Sequence, residues 1–162
     1  MDIKQGAKTS LAQADLVVNY YLQDLTDAEL LARPLPDCNH IAWQLGHLIS
    51  AERMMLEKLA PGKTEPLPEG FEAAHNKETA KIDDASKFRS KDEYLKLAAG
   101  VRAQTLSLLE AMSAEDFDRP LENAMPGVKV AGDLFFFISM HWLMHSGQWA
   151  IVRRSLGRPP LF

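Results

Sequence analysis

The sequence predicts an all-α protein, a four-helix bundle with at least one long crossover connection. Apolar residues recur every three or four positions over four helix-length segments, and clusters of Pro, Gly and Asp separate those segments. No stretch shows the alternation of apolar and polar residues that is typical of a half-buried strand. The predicted connections 61–89 and 113–129 are much longer than a simple up-and-down bundle requires, so at least one should cross over the bundle.

The first two predicted helices lie before the longer connection. The first runs from about Thr9 to Leu25, and a short helical turn follows over 27–32. Its apolar stripe comprises Leu11, Ala14, Val18, Leu22 and Leu25. The second begins after Asn39, a residue type suited to capping a helix N-terminus, and continues until Pro61.

The last two predicted helices follow the longer connection. The third has the clearest start, because Ser90 is followed three residues later by Glu93, the spacing of a capping box. The fourth spans about 130–156 and precedes a Gly and two Pro residues that stop helices. The 61–89 connection is expected to contain a short helix around 71–80.

The composition is that of an ordinary globular protein. The chain has 162 residues, of which 46% are hydrophobic and 25% charged, with a net charge of −4. One domain over 1–162 is expected, and the slight acidic excess argues against nucleic acid as a partner. Cys38 is the single cysteine, which excludes an internal disulfide and favours a reducing cytoplasm. No run reaches the roughly 18 apolar residues of a membrane-spanning helix, and no membrane partner is expected.

Two histidines, His141 and His145, lie four residues apart in the apolar fourth helix. A helix advances 100° per residue, so the two rings lie about 40° apart, and Gln148 falls on the same face. That face is predicted to turn toward the core, together with Leu134, Phe137, Met144 and Val152. Such a pair can bind one metal ion, as in HExxH zinc sites. The alternative is a pair of core histidines held by hydrogen bonds to other helices.

His47 is the best candidate for a third metal ligand. It lies in the middle of the second helix beside Gly46, and a glycine inside a helix suggests that another element approaches closely there. His40 shares the face of His47 but is about 10 Å away along the axis, too far to bind the same ion. We therefore expect His40 to lie at the helix N-terminus, as a structural residue or at the mouth of a pocket. Apolar side chains expected near the ion are Trp43, Met54, Phe137 and Met144.

His75 belongs to the predicted long connection. Glu72 and His75 match the ExxH spacing of di-iron bundles, but those sites need two such motifs and two further glutamates on core helices. This chain has one copy. His75 is therefore predicted to face the solvent.

The motifs "IAWQLGHL" at 41–48 and "HWLMHSGQ" at 141–148 resemble the DinB/YfiT-like superfamily of metalloenzymes. The resemblance extends over nearly the whole chain and implies a four-helix bundle. It places the metal ligands of the family at His47, His141 and His145. Members with known activity conjugate low-molecular-weight thiols to electrophiles or isomerise maleylpyruvate with a thiol cofactor. The resemblance also implies a homodimer.

The expected function is that of a divalent-metal-dependent thiol S-transferase. Three neutral imidazoles leave the ion its full charge and an open coordination position, as in catalytic zinc sites. Imidazole suits zinc and nickel equally, and the ion would activate a low-molecular-weight thiol cosubstrate for attack on a small electrophile. Gln148 is assigned as the catalytic residue that orients bound water or substrate, or as a partner that fixes a histidine ring; a buried amide between two helices is the structural alternative.

Two other functions stay open from the sequence. One is a metallohydrolase that uses metal-bound hydroxide with the same ligands. The other is a helical bundle that binds metal or a ligand without catalysis. For the homodimer, the apolar run "LFFFI" at 134–138 offers more apolar surface than one helix stripe can bury, and is the expected contact.

Overall fold

The computed structural model describes residues 2–122 and 125–161, and these are helical with no β-strand. One isolated antiparallel bridge joins Pro120 and Val130. The α-helices are α1 (Ile3–Leu22), α2 (Ile41–Leu59), α3 (Phe71–Ala74), α4 (Lys91–Ala111), α5 (Ala114–Asp118) and α6 (Asp133–Ser155). The predicted all-α class is confirmed.

The four long helices form the bundle. α1 packs along α6, and α2 packs against both α4 and α6; α1 and α4 are also neighbours, in the smallest of these interfaces. The order around the bundle is therefore α1, α6, α2, α4, which differs from the order along the chain. The expected crossover is confirmed. In the described residues, no helix is both long enough and apolar enough to span a membrane.

Helix α1 begins six residues before the predicted start. The side chain of Asp2 accepts a hydrogen bond from Gln5 N and caps the helix. Ala7 is fully buried and extends the apolar stripe by one turn. The predicted start at Thr9 was wrong because an alanine on the buried face gives a weak apolar signal. The helix ends at Leu22, and the 3-10 turn Glu29–Leu31 confirms the short helical turn.

Helix α2 is capped by His40 rather than by Asn39. His40 is fully buried; its Nδ1 accepts from Trp43 N at 3.1 Å, and its Nε2 lies 3.0 Å from the carbonyl oxygen of Ile82. Because a carbonyl can only accept, Nε2 carries the ring proton. Burial lowers the pKa of His40 and favours this neutral form. The expected structural role of His40 at the helix N-terminus is confirmed.

His40 should make stability depend on pH. Its pKa in the folded chain lies below the ordinary 6.5, so between the two values only the unfolded chain binds the proton. Neutral His40 therefore contributes to the free energy of unfolding above about pH 6.5. This contribution is lost as the pH falls, by at most about 1.4 kcal/mol per pH unit. His40→Asn keeps a capping acceptor but removes this titration. Chemical denaturation between about pH 7 and pH 5 should show a shallower loss of unfolding free energy in the variant; equal slopes would contradict it.

The capping box of α4 is confirmed. Ser90 accepts from Glu93 N, and the Glu93 carboxylate accepts from Ser90 N at 3.0 Å. The predicted helix at 71–80 is confirmed in part. It consists of the single α-helical turn α3 and a 3-10 turn, Lys77–Thr79. Helix α6 confirms the fourth predicted helix within three residues at its start.

The prediction that His75 faces the solvent was wrong. His75 is 3% exposed; its Nδ1 lies 2.7 Å from the carbonyl oxygen of Phe71 and its Nε2 lies 2.7 Å from the hydroxyl oxygen of Tyr94. Nδ1 therefore donates, and Nε2 accepts from the hydroxyl. The ring lies directly against Gly46, where a Cβ atom would be 2.0 Å from Cδ2 of His75. The close approach that Gly46 predicted is confirmed, and His75 is the group that makes it.

A buried polar network joins the four long helices. Glu52 of α2 is 2% exposed and accepts from Nε1 of Trp142 at 2.7 Å and from the hydroxyl of Thr105. Its carboxylate lies 3.2 Å from Nη2 of Arg102, and Nε of Arg102 lies 3.3 Å from Asp15 of α1. Burial raises the pKa of Glu52, while the guanidinium of Arg102 acts in the opposite direction.

Candidate metal centre

Three histidines converge where α2 faces α6. The centroid of the His47 ring is 5.2 Å from that of His141 and 5.3 Å from that of His145, and the two α6 rings are 4.9 Å apart. One ligand nitrogen from each ring lies within 4.8 Å of the other two. Within the described residues, this is the one group of three or more potential metal ligands that meets such a limit.

The environment keeps these imidazoles neutral. His145 is buried, and His47 and His141 are partly buried. Burial, aided by repulsion from neighbouring histidines, lowers the pKa of both His141 and His145 to about 4. Burial also lowers the pKa of His47, with a smaller effect from the charge of Lys77. Since a metal ion binds unprotonated imidazole, three uncharged donors this close fit a divalent cation.

Gln44, which the sequence analysis did not identify, holds His145 in position. Its Oε1 lies 2.9 Å from Nδ1 of His145 and accepts from Nε1 of Trp149 at 2.9 Å. Its amide nitrogen donates to the carbonyl oxygen of Asn39 at 2.6 Å, which fixes the orientation of the amide. Nδ1 of His145 must therefore donate, and Nε2 is left with a free lone pair for an ion.

The third histidine of the group, His47, is held by stacking. The ring of Trp43 lies parallel to that of His47, with centroids 5.2 Å apart and 4° between the planes. Nε1 of Trp43 donates to the carbonyl oxygen of Asn76 at 3.1 Å and contacts the hydroxyl of Thr79 at 3.2 Å. The 71–80 segment therefore forms one wall beside the site, and the predicted place of Trp43 near the histidines is confirmed.

The core-facing stripe of α6 differs from the predicted one. Leu134 and Val152 are buried as expected, but Met144 is 57% exposed. The buried face comprises Leu134, Phe135, Ile138, Ser139, Trp142, His145, Ser146, Trp149, Val152 and Arg153. The histidine pair therefore lies at the edge of the buried face rather than at its centre. Phe137 stays beside the site, with its ring centroid 6.1 Å from that of His141.

Gln148 and Met54 are exposed. Exposure of Gln148 rules out a buried amide between two helices, and the role of fixing a histidine ring belongs to Gln44. Met54, also predicted to lie near the ion, is 51% exposed, seven residues after His47.

The run 134–138 is not the exposed apolar surface that was predicted for a dimer contact. Leu134, Phe135 and Ile138 are buried, and Phe136 and Phe137 are partly buried against the same core. The exposed apolar side chains of α6 lie further along the helix. They are Met140, Leu143, Met144 and Ile151.

The comparisons with known proteins agree with this fold and identify the family of the chain. A model of the DinB superfamily matches residues 11–149. The crystal structure of a conserved protein from Enterococcus faecalis is similar, with a TM-score of 0.69, 19% identity, and coverage of 98% of this chain and 99% of that chain. At this identity the structural likeness supports the fold alone. No curated protein matches. Because the family model covers most of the sequence and includes His47, His141 and His145, the chain belongs to the DinB superfamily.

Proposed function

We propose that this protein is a thiol-dependent S-transferase that holds a divalent zinc or nickel ion on His47, His141 and His145. The observation that carries the proposal is the convergence of three neutral imidazoles from two helices, with ligand nitrogens within 4.8 Å of one another. Such a bound ion supplies Lewis acidity that lowers the pKa of a thiol. The absence of a cysteine pair in the sequence agrees with a place in the reducing cytoplasm.

The chain's own residues prepare and shield the site. Gln44 fixes His145 with its Nε2 free, and Trp43 covers one face of His47. Phe137 adds an apolar ring beside His141. Together these contacts hold the ligands in place before an ion arrives, which lowers the cost of ordering them on binding.

The charge distribution favours a thiol over water as the nucleophile. The stretches 41–51 and 134–152, which carry the histidines, contain no Asp or Glu. A thiol has an ordinary pKa of about 8.5 and ionises without a strong base, whereas water gains more from a neighbouring carboxylate. In the proposed reaction the sulfur lone pair forms the new S–C bond, the leaving group departs with its electron pair, and the thiol proton passes to solvent.

Gln148 is proposed to orient the substrate. It follows His145 by three residues on α6 and is exposed, so its amide can reach a molecule that approaches from solvent. The amide offers both donors and an acceptor for such a contact. This role is separate from that of Gln44, whose amide oxygen and nitrogen both form hydrogen bonds inside the bundle.

We also propose that the protein forms a homodimer through the outer face of α6. Met140, Met144 and Ile151 recur at helical spacing on this face, and each is more than half exposed. No charged residue occurs between 134 and 152. An exposed apolar face without charge is typical of a surface that packs against another protein.

Metal content tests the proposed site. Mass spectrometry on untagged protein should find close to one divalent ion per chain in the wild type and a loss of it in His47→Ala and in His145→Ala, because each variant removes one of three donors. His40→Asn is the matched control, since His40 is a buried histidine that lies outside the triad. Equal metal content in the wild type and both triad variants, or no metal in any of them, would contradict the proposal.

A second measurement separates the possible activities. The metal-loaded protein should convert a chromogenic electrophile to its thioether only when a low-molecular-weight thiol is present. Hydrolysis that needs no thiol would instead indicate a metallohydrolase. Metal binding with neither reaction would indicate a bundle that binds metal without catalysis.

A further inference from the structure

The site has an unusual charge balance once it holds a dication. A metal-bound imidazole carries no charge, and the helix stretches that carry the histidines, 41–51 and 134–152, contain no Asp, Glu, Lys or Arg. The nearest acidic residue along α2, Glu52, is buried and committed to Arg102, Thr105 and Trp142. These two helix stretches therefore provide no carboxylate to offset the two positive charges of an ion. An anionic substrate would offset them.

One positively charged residue, Lys77, belongs to the segment that forms the wall beside the site. Lys77 directly follows Asn76, whose carbonyl accepts the hydrogen bond from Nε1 of Trp43, and Trp43 stacks on His47. Lys77 is exposed to solvent. Within residues 2–122 and 125–161, its ammonium group forms no ion pair with Asp or Glu.

The segment that carries Lys77 is held rigidly enough to place this charge. The Asn76 side chain caps the Lys77–Thr79 turn by accepting from Glu78 N and Thr79 N. The Thr79 hydroxyl contacts both the Asn76 carbonyl and Nε1 of Trp43. The backbone on either side of Lys77 is thus bound to the residue that covers His47. A fixed backbone and a free ammonium group suit recognition of an anion from outside the chain.

We infer that the thiol substrate carries a carboxylate, and that Lys77 is a specificity-determining residue that binds this carboxylate while the sulfur lies toward the triad. The inference rests on the proposed function, since it assumes that a thiol reaches the metal. It adds the chemical class of the thiol, an anionic one, and the residue that selects it.

Thiol binding to the nickel-loaded protein tests this inference without turnover. The sulfur-to-nickel charge-transfer absorption is titrated with 3-mercaptopropionate and with its neutral counterpart, 3-mercaptopropionamide, and the ratio of the two dissociation constants is compared between variants. The metal ion favours the carboxylate thiol over the amide thiol in every variant. A change in the ratio of their dissociation constants between variants therefore reports the effect of Lys77 alone. Lys77→Gln should reduce the preference for the carboxylate about two- to fivefold at low salt, and Lys77→Glu should reduce it further.

Lys81→Gln is the matched control. Lys81 lies four residues further along the same connection, is 89% exposed, and is 3.9 Å from Asp37. Its replacement removes the same charge and should leave the ratio unchanged. An unchanged ratio in Lys77→Gln, or an equal reduction in Lys81→Gln, would overturn the role of Lys77 while leaving thiol binding intact. Nickel binding without a charge-transfer band for either thiol would overturn the thiol proposal itself, and this inference with it.

Discussion

Gly46→Ala should destabilise the protein by about 3 kcal/mol, because the added methyl carbon would lie 2.0 Å from Cδ2 of His75. In an open helix the same substitution stabilises by about 1 kcal/mol, since alanine is the better helix former. The clash must therefore outweigh a favourable backbone effect. It does so because the helix backbone at 46 cannot move without disturbing the whole of α2.

The His75 ring has little freedom to give way. Its two nitrogens are bonded to the Phe71 carbonyl and the Tyr94 hydroxyl, and the ring is buried. We expect the connection that carries His75 to shift away from α2 instead. That shift would weaken the hydrogen bond from Trp43 to Asn76 and loosen the wall beside His47. The substitution should therefore lower metal affinity as well as stability.

Chemical denaturation of four variants checks this prediction. Gly100→Ala is the matched control, because Gly100 lies within α4 and a Cβ atom there would have no neighbour within 4 Å; this variant should be more stable than the wild type. His75→Ala alone should be destabilised by the loss of its contacts. The double variant Gly46→Ala/His75→Ala should be more stable than the sum of the two single effects predicts, since the second change removes the clash. Additive effects, or a Gly46→Ala variant as stable as the wild type, would show that no clash exists.

The sequence predicted the site better than it predicted the surroundings of the site. The spacing of His141 and His145 along one helix was enough to place them on the same face. Gly46 indicated that another element approaches closely, although the sequence did not show which residue does so. His75 was misassigned because its partners, Gly46 and Tyr94, come from two other elements, which no local pattern relates to it. Gln44 was missed for the same reason, since its contacts with α6 span the bundle.

The buried face of α6 could not be fixed by periodicity. Nineteen consecutive residues, 134–152, lack charge, so the helix is apolar nearly all round and several angular positions fit a core-facing stripe equally well. The packing of α6 on α1 and α2 determines which face of α6 is buried. It turns Trp142 and Trp149 inward and leaves Met144 in solvent. In α4 the capping-box spacing of Ser90 and Glu93 is a local signal, and the start that it predicted was confirmed.

The second large effect is expected from Glu52→Ala, which should destabilise the protein by about 3–5 kcal/mol. The side chain of Arg102 is 9% exposed, and its Nη1 already lacks a hydrogen-bond partner in the structure. Removing Glu52 leaves this guanidinium with Asp15 as its remaining acidic partner and leaves Nε1 of Trp142 without an acceptor. Asp15 is 44% exposed and compensates the buried guanidinium only in part, so the charge left behind costs more than the lost contact itself.

Glu110→Ala is the control, because Glu110 also pairs with a cation, Lys8, but its side chain is 61% exposed; the expected change is below about 1 kcal/mol. The double variant Glu52→Gln/Arg102→Met should have a clearly higher free energy of unfolding than Glu52→Ala. The glutamine amide can still accept the hydrogen bond from Trp142, and the charge of Arg102 is removed. A double variant that is more stable than Glu52→Ala would show that the loss of stability in Glu52→Ala comes from leaving a charge unpaired, and not from losing the attraction between the two charges. If the double variant were as unstable as Glu52→Ala, the buried ion pair itself would be the stabilising element, and the core would depend on its charges rather than merely tolerate them.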